Sequence, residues 1–337
     1  MLKKVLITGG AGTIGYFLGK SLADQGYKVT LADNLSRGEL DSDLQKLLEL
    51  PNVKFVNLDV TLAEDFKKLD TDYDYVYHLA AVNGTRNFYE IPDVVLKVGI
   101  LGVINILDWF KKNKKGKILF TSSNEAYAST INLLKGPLPT PENVHLGIDD
   151  ITNPRWSYGG SKIAGELLFL NYGRQHKFPF TIIRYHNSYG PRMGNEHVVP
   201  NFFERILKKE DPFKIYGAKH TRSFCYIDDT IKATQLVMET EKTNGEIVHI
   251  GNDQEEISMK DLAEKMFQLF NYRPQVQILD APRGSVLRRL PDLQKIRKLT
   301  DYQPSVDLNE GLKRTMEWYR LKYKSVLRND ERKFRKL

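Results

Sequence analysis

Val5-Leu6-Ile7-Thr8-Gly9-Gly10-Ala11-Gly12-Thr13-Ile14-Gly15 opens the chain with a short apolar run that breaks at once into glycines. A run of that length bounded by turn residues predicts a buried strand, and the apolar spacing after it predicts a helix from Ile14 to Gln25. Each glycine has its own use at such a junction. Gly9 supplies a positive φ, Gly12 lets the main chain approach a pyrophosphate, and Gly15 lets helix pack against strand. The helix N-terminus, with Thr13 and Ile14 in its first turn, then faces the anion with unpaired N–H groups. Lys28-Val29-Thr30-Leu31-Ala32-Asp33 predicts a second strand, ending in a carboxylate at roughly the 20-residue spacing of a ribose-binding acid. Asp33 would there hold the adenine ribose hydroxyls. Its charge would repel a ribose phosphate and favour NAD over NADP, while Arg37 nearby pulls the other way.

Strand-like segments recur at 4–8, 28–33, 53–58, 75–80, 117–122 and 180–185, with helical spacing between them in stretches such as Val94 to Lys111 and Ser161 to Gln175. That rhythm predicts an α/β fold built on a doubly wound parallel sheet of Rossmann type. Prolines then punctuate shorter elements beyond Gly190-Pro191, which predicts a smaller mixed α/β lobe. The chain is expected to return to the sheet through a helix from Ile227 to Glu241 and a strand over Glu246 to Gly251. The expected division is residues 1–184 plus 222–251 for the dinucleotide and 185–221 plus 252–325 for the substrate, followed by a basic tail at 326–337. Ligands in such sheets sit beyond the carboxyl ends of the strands, where the second lobe would close over them.

A chain of 337 residues can bury a sizeable core. No stretch is apolar for long enough to span a bilayer, and a core strand begins almost at residue 1, so a cytoplasmic protein is expected. With Cys225 the only cysteine, no internal disulfide can form. The net charge of +8 suits an anionic ligand. Its basic clusters, Lys111 to Lys117 and Arg328 to Lys336, lack the interleaved aromatics of a nucleic-acid site and read as solvated surface, so neither nucleic acid nor membrane is expected as a partner.

Tyr158-Gly159-Gly160-Ser161-Lys162 sets a phenol and an ammonium four residues apart, on one face of a helix. A free tyrosine, with pKa near ~10, is a poor base at neutral pH. An ammonium beside it would lower that pKa by Coulomb attraction and also hold a nicotinamide ribose. Lys117 to Ser123 is a strand that would deliver the Ser123 hydroxyl to the same sheet edge, within reach of a reacting sugar oxygen.

These motifs, taken with Asp33-Asn34-Leu35-Ser36-Arg37-Gly38, Asp59-Val60, His78-Leu79-Ala80-Ala81, Arg184-Tyr185-His186-Asn187-Ser188-Tyr189-Gly190-Pro191, Arg222-Ser223-Phe224-Cys225-Tyr226-Ile227-Asp228-Asp229 and Arg289-Leu290-Pro291-Asp292, span nearly the whole chain. With them the chain resembles the extended short-chain dehydrogenase/reductase family, and within it the nucleotide-sugar epimerases, dehydratases and decarboxylases. The resemblance implies NAD as cofactor and a nucleoside-diphosphate sugar as substrate. Asp33 with Asn34, and Asp59 with Val60, would meet the adenosine, and Ala80 and Ala81 would line the cofactor groove. Asn187, Arg222 and Arg289 would grip the diphosphate, which suits guanidinium forks that match phosphate oxygens in pairs. Tyr158, Lys162 and Ser123 would oxidise carbon 4 of the hexose.

The reaction after oxidation turns on fewer residues. The resemblance places a catalytic glutamate of dehydratases and decarboxylases at Glu125, whereas Asn124 cannot supply the carboxylic proton of a dehydratase Asp-Glu pair. Asn153-Pro154-Arg155-Trp156-Ser157-Tyr158 resembles the approach to the tyrosine in some decarboxylases, where a catalytic arginine falls at Arg222. His186 stands where the family is usually apolar, near the expected sugar, as an added acid, base or donor, or else as a packed structural histidine. Gly99 replaces an asparagine, so one structural hydrogen bond is expected to be missing. The expected outcome is epimerisation or a related rearrangement with retained NAD. Net 4-dehydrogenation, 4,6-dehydration and decarboxylation are the alternatives, and a regulatory protein that binds NAD without chemistry is the rival of another class. A homodimer or homotetramer is expected through the Tyr158 helix and the helix before it, with Leu167, Leu168 and Leu170 supplying an apolar face.

Overall fold

The computed structural model describes residues 2–113 and 115–334, with side chains to Lys322 apart from Asn132 and Leu134. Seven strands form the central sheet: β1 (Lys4–Thr8), β2 (Lys28–Asp33), β3 (Val53–Asn57), β4 (Tyr75–His78), β5 (Lys117–Ser123), β6 (Phe180–Tyr185) and β7 (Ile247–Ile250). All pair in parallel, in the order β7-β6-β5-β4-β1-β2-β3. The order reverses between β1 and β4, so their connections leave on opposite faces and open a crevice at the carboxyl ends. The principal helices are α1 (Thr13–Asp24), α2 (Pro92–Phe110), α3 (Ser157–His176), α4 (Ile227–Glu239) and α5 (Leu308–Phe334).

Both faces of the sheet are covered, which is why its strands read as near-continuous apolar runs. Val5 and Ile7 pack with Leu18 and Leu22 of α1 and Val237 of α4, whereas Leu6 points to the opposite face with Val103 and Ile106 of α2 and Phe169 of α3. Alternate residues of one strand thus serve two cores. One buried ion pair crosses this interior. Arg184 of β6 meets Glu166 of α3 through Nε at 2.8 Å and Nη2 at 2.7 Å, and Ser122 donates to the same carboxylate at 2.5 Å.

Two expectations about the surface change. Lys117, read as solvated, is buried at the start of β5, where its ammonium donates at 3.0 Å each to Val237 O and Thr240 O, carbonyls at the end of α4 that also accept from Thr243 Oγ1. That placement matches cation to helix C-terminus. Leu168 and Leu170 pack against the core, and of the three leucines expected on an outer face only Leu167 is exposed. Lys114 and the side chains of the basic tail lie outside the described residues.

The chain outside the sheet builds short mixed ladders over the carboxyl edge. Thr221–Ser223 pairs with Arg288–Arg289 in parallel and with Glu256–Ser258 antiparallel, setting Arg222 beside Arg289 in register. Phe213–Tyr216 pairs with Val276–Leu279, and Ser188–Tyr189 with Cys225–Tyr226. The segment after Arg289 is pinned by Thr140, which donates to Leu290 O and accepts from Asp292 N, both at 2.8 Å. Among the described residues no helix is long and apolar enough to cross a membrane.

Candidate active site

A cleft of about 1190 Å³ runs along the carboxyl ends of β1 to β6. Its first wall is the turn after β1. Gly9 adopts φ +73°, and a Cβ there would stand 2.9 Å from Ala80 N, so strand β4 can approach only a glycine. A Cβ on Gly15 would run into Gly9 O. The Gly12 position is open except for Gly9 O, and with Thr13 and Ile14 it brings the N-terminus of α1 to the cleft. The side chain of Asp33, at the end of β2, accepts from Ala11 N at 3.0 Å and from Leu35 N at 2.8 Å. Asn34 donates to Asp59 at 3.1 Å, and Val60, Ala80 and Ala81 complete this part of the lining. An adenosine-bearing pyrophosphate fits these residues: donors at a helix end, a floor free of side chains and a carboxylate one strand away. Among the described residues no group of three or more His, Cys, Asp or Glu side chains is placed to hold a metal ion.

The middle of the cleft belongs to β5 and α3. Tyr158 enters from the first turn of α3 and stacks on Phe88 with ring centroids 5.0 Å apart. Ser123, at the end of β5, lines the same cleft; its hydroxyl donates to Asn124 Oδ1 at 3.4 Å and accepts from Glu125 N at 3.2 Å. Lys162, one turn on, lies 5.2 Å from the Tyr158 ring and donates to Thr121 O at 2.7 Å. The expectation that this ammonium frees a phenolate needs correction for the protein alone. Burial pushes the Tyr158 phenol well above its ordinary range, the Glu125 charge adds to that, and Ser123 offsets only part. The same burial lowers Lys162 to about 7. Both groups shed charge when no ligand balances them. Gly99 also reads differently: a Cβ there would stand 2.6 Å from Ser161 Oγ, and that hydroxyl donates to Tyr158 O at 2.8 Å. Ser161 occupies the space an asparagine would fill and supplies a local hydrogen bond.

The far wall is cationic. Glu125, on the 3-10 turn Asn124–Tyr127, receives Arg155 Nη2 at 3.0 and 3.2 Å and Arg289 Nη2 at 2.7 Å. Burial would raise this carboxyl, but Arg289 and Arg155 outweigh it and hold the group at about 2. It is ionised at neutral pH. Arg222 donates to Thr221 O and Val286 O at 2.7 Å each, and burial together with Arg289 lowers it to about 9. Asn187, at φ +38°, donates to Ser223 O at 2.9 Å and lines the cleft beside these arginines.

Of the expected site residues, His186 alone does not line the cleft. It is 1% exposed and its Nε2 meets Tyr127 Oη at 2.7 Å, behind the Glu125 turn. His186 lies just past β6: its amide donates to Ile250 O at 2.9 Å and its ring packs beside Tyr127 and His249, while Asn187 after it lines the cleft. Arg155 is the residue that sequence reading passed over. It was visible as an arginine on the Asn153-Pro154 turn three positions before Tyr158, yet its ion pair with Glu125 depends on a contact 30 residues away in sequence.

Known proteins resemble this chain over most of its length. The model of the NAD dependent epimerase/dehydratase family matches residues 5–251. The UDP-N-acetyl-alpha-D-glucosaminuronate decarboxylase of Bacillus cytotoxicus is 33% identical over 330 residues, covering 95% of this chain and 98% of its own. A putative UDP-glucose 4-epimerase of Methanocaldococcus jannaschii is also 33% identical, over 319 residues, 93% of this chain and 97% of the relative. The solved UDP-glucuronic acid 4-epimerase of Bacillus cereus, in complex with NAD and a fluorinated UDP-glucuronic acid, superposes with a TM-score of 0.84 at 27% identity, covering 94% of this chain and 99% of that one. A dinucleotide cradle, a Ser123–Tyr158–Lys162 centre and a match over most of the sequence therefore lead to one conclusion: the chain is an enzyme of the NAD dependent epimerase/dehydratase family, with NAD as its cofactor.

Proposed function

We propose that this enzyme oxidises carbon 4 of a nucleoside-diphosphate sugar and returns the hydride to the same ring, with inversion at carbon 4 or a related rearrangement as the net change. The observation that carries this reading is one cleft that brings Ser123, Tyr158 and Lys162 together opposite a wall where Arg222 and Arg289 stand in register. NAD, when bound, supplies the hydride acceptor. Tyr158, as phenolate, takes the proton from the carbon 4 hydroxyl as the hydride leaves, so the alcohol becomes a ketone; Lys162, protonated once the cleft carries its ligands, stabilises the phenolate. Ser123 holds the sugar oxygen in line. Arg222, Arg289 and Asn187 fix the diphosphate, Asp33 with Asn34 the adenine ribose, and Asp59 with Val60 the adenine edge. In this division residues 1–184 plus 222–251 hold the cofactor, and 185–221 plus 252–325 the sugar nucleotide.

A second reading is favoured by Glu125. Its ionised carboxylate cannot donate a proton, which disfavours dehydration through it, but the Arg155 and Arg289 guanidinium groups that it holds in place can attract an acidic substituent on the sugar. Loss of carbon dioxide from a 4-keto uronate would then succeed oxidation, in keeping with the decarboxylase relative. Incubation with UDP-glucose, UDP-glucuronate and UDP-N-acetylglucosaminuronate, read by mass and NMR, separates the outcomes. Inverted product of unchanged mass means epimerisation, and loss of carbon dioxide means decarboxylation. The absence of ring oxidation in every case removes the proposal. We place the enzyme in the cytoplasm as a dimer formed through α2 and α3, where Leu96, Leu101 and Leu167 are exposed; purely monomeric elution at micromolar concentration contradicts the dimer.

A further inference from the structure

His186 lies at a junction. On one side it bonds Tyr127, the last residue of the turn that presents Glu125. That turn is wedged against α3, where a Cβ on Gly159 would stand 2.8 Å from Glu125 O, so its position is set from both flanks. On the other side His186 backs onto Gly251, where a Cβ would stand 2.9 Å from His186 Cβ and 3.1 Å from Pro291 Cγ. Pro291 belongs to the segment that carries Arg289 and is anchored by Thr140. The imidazole therefore stands between the two elements whose charges, Glu125 and Arg289, meet at 2.7 Å.

The His186 Nδ1 atom is buried and finds no hydrogen-bond partner among the described residues. Burial, the neighbouring His249 and the arginines keep the ring neutral, so it brings no charge to the site. What it provides, and phenylalanine cannot, is the bond to Tyr127. Buried groups left partly unsatisfied concentrate where geometry matters for function.

We propose that His186 is a positioning residue: through Tyr127 it holds the Glu125 carboxylate in register with Arg289 for the step after carbon 4 oxidation. The inference rests on the role given to Glu125 above. Its test uses the full-length protein as His186→Phe, Tyr127→Phe and the double variant, compared with the unaltered enzyme. The readouts are melting temperature, formation of reduced nicotinamide in a single turnover, net turnover and the crystal structure.

In His186→Phe, KM and nicotinamide reduction should stay within about twofold, while net kcat falls on the order of 10–100-fold. The double variant should regain melting temperature, because both polar partners are gone, without regaining net turnover. Recovery of turnover together with stability would reduce the bond to a structural one and overturn the proposal, as would unchanged kcat or an equal fall in both half-reactions. If the unaltered enzyme oxidises no nucleotide sugar, the functional reading fails by itself. The crystal structure then decides separately: Glu125 displaced from Arg289 in His186→Phe supports the positioning role, and an unmoved Glu125 refutes it.

Discussion

Replacing Glu125 by Gln removes one negative charge from between two guanidinium groups whose side chains are only 7% and 11% exposed. The carboxyl stands at about 2 in the fold against 4.5 unfolded, a difference of roughly 2.5 units, and at 1.36 kcal/mol per unit the ionised group contributes about 3 kcal/mol. The sign is set by the depressed value. The contribution is complete above about pH 5, where the unfolded chain is also ionised, and is lost as pH falls toward 2. Near pH 3 about 1 kcal/mol remains. Glu125→Gln should therefore lower stability by about 3 kcal/mol at pH 7, on the order of 4 °C in melting temperature for a chain of 337 residues, with a penalty that shrinks steadily on acidification because glutamine resembles the protonated acid. Denaturant midpoints of both proteins at pH 7, 5, 4 and 3, without ligand, provide the assay. Equal midpoints at pH 7, or a difference that persists undiminished at pH 3, would refute the reasoning about this ion triad.

Tyr158→Phe should bind NAD with unchanged affinity in a fluorescence titration yet lose about 10²–10⁴-fold in nicotinamide reduction. Asp33→Ala should weaken NAD binding by roughly 10–100-fold and erase discrimination against NADP, read as the ratio of the two dissociation constants. Lys162→Met should abolish hydride transfer while raising the melting temperature of the ligand-free protein. Because burial lowers the amine from 10.5 to about 7, that gain should grow as pH falls from about 10 to 7 and level off below, which a pH series of thermal scans measures. Arg184→Met alone should cost about 3–5 kcal/mol by stranding Glu166, whereas Arg184→Met with Glu166→Leu should recover most of it in a double-variant cycle of denaturant midpoints.

The sheet was legible because each strand announces itself locally. Val5 to Thr8 and Lys28 to Asp33 are short, apolar and bounded by glycine or a polar turn, and parallel strands covered on both faces have no alternation to obscure them. The glycine turn and the Tyr158–Lys162 pair were legible for the same reason, since their spacing is set within one turn or one helix. Residues whose meaning depends on distant neighbours were not. Nothing around His186 indicates that residue 127 will satisfy it, and nothing around Gly99 indicates that Ser161 will use the space it leaves. Arg155 lacked a role until Glu125 was placed beside it. For Tyr158 the sequence shows the lysine four residues away but not the depth of burial, which raises the phenol in the ligand-free protein.

The most direct test is a single turnover with a nucleotide sugar carrying deuterium at carbon 4, with NAD bound to the full-length enzyme. A primary isotope effect on the appearance of reduced nicotinamide, and then recovery of the deuterium at carbon 4 of the product, is what Tyr158 and Ser123 are arranged to give. Product formed with no isotope effect at carbon 4, or with no reduced nicotinamide along the way, would contradict it.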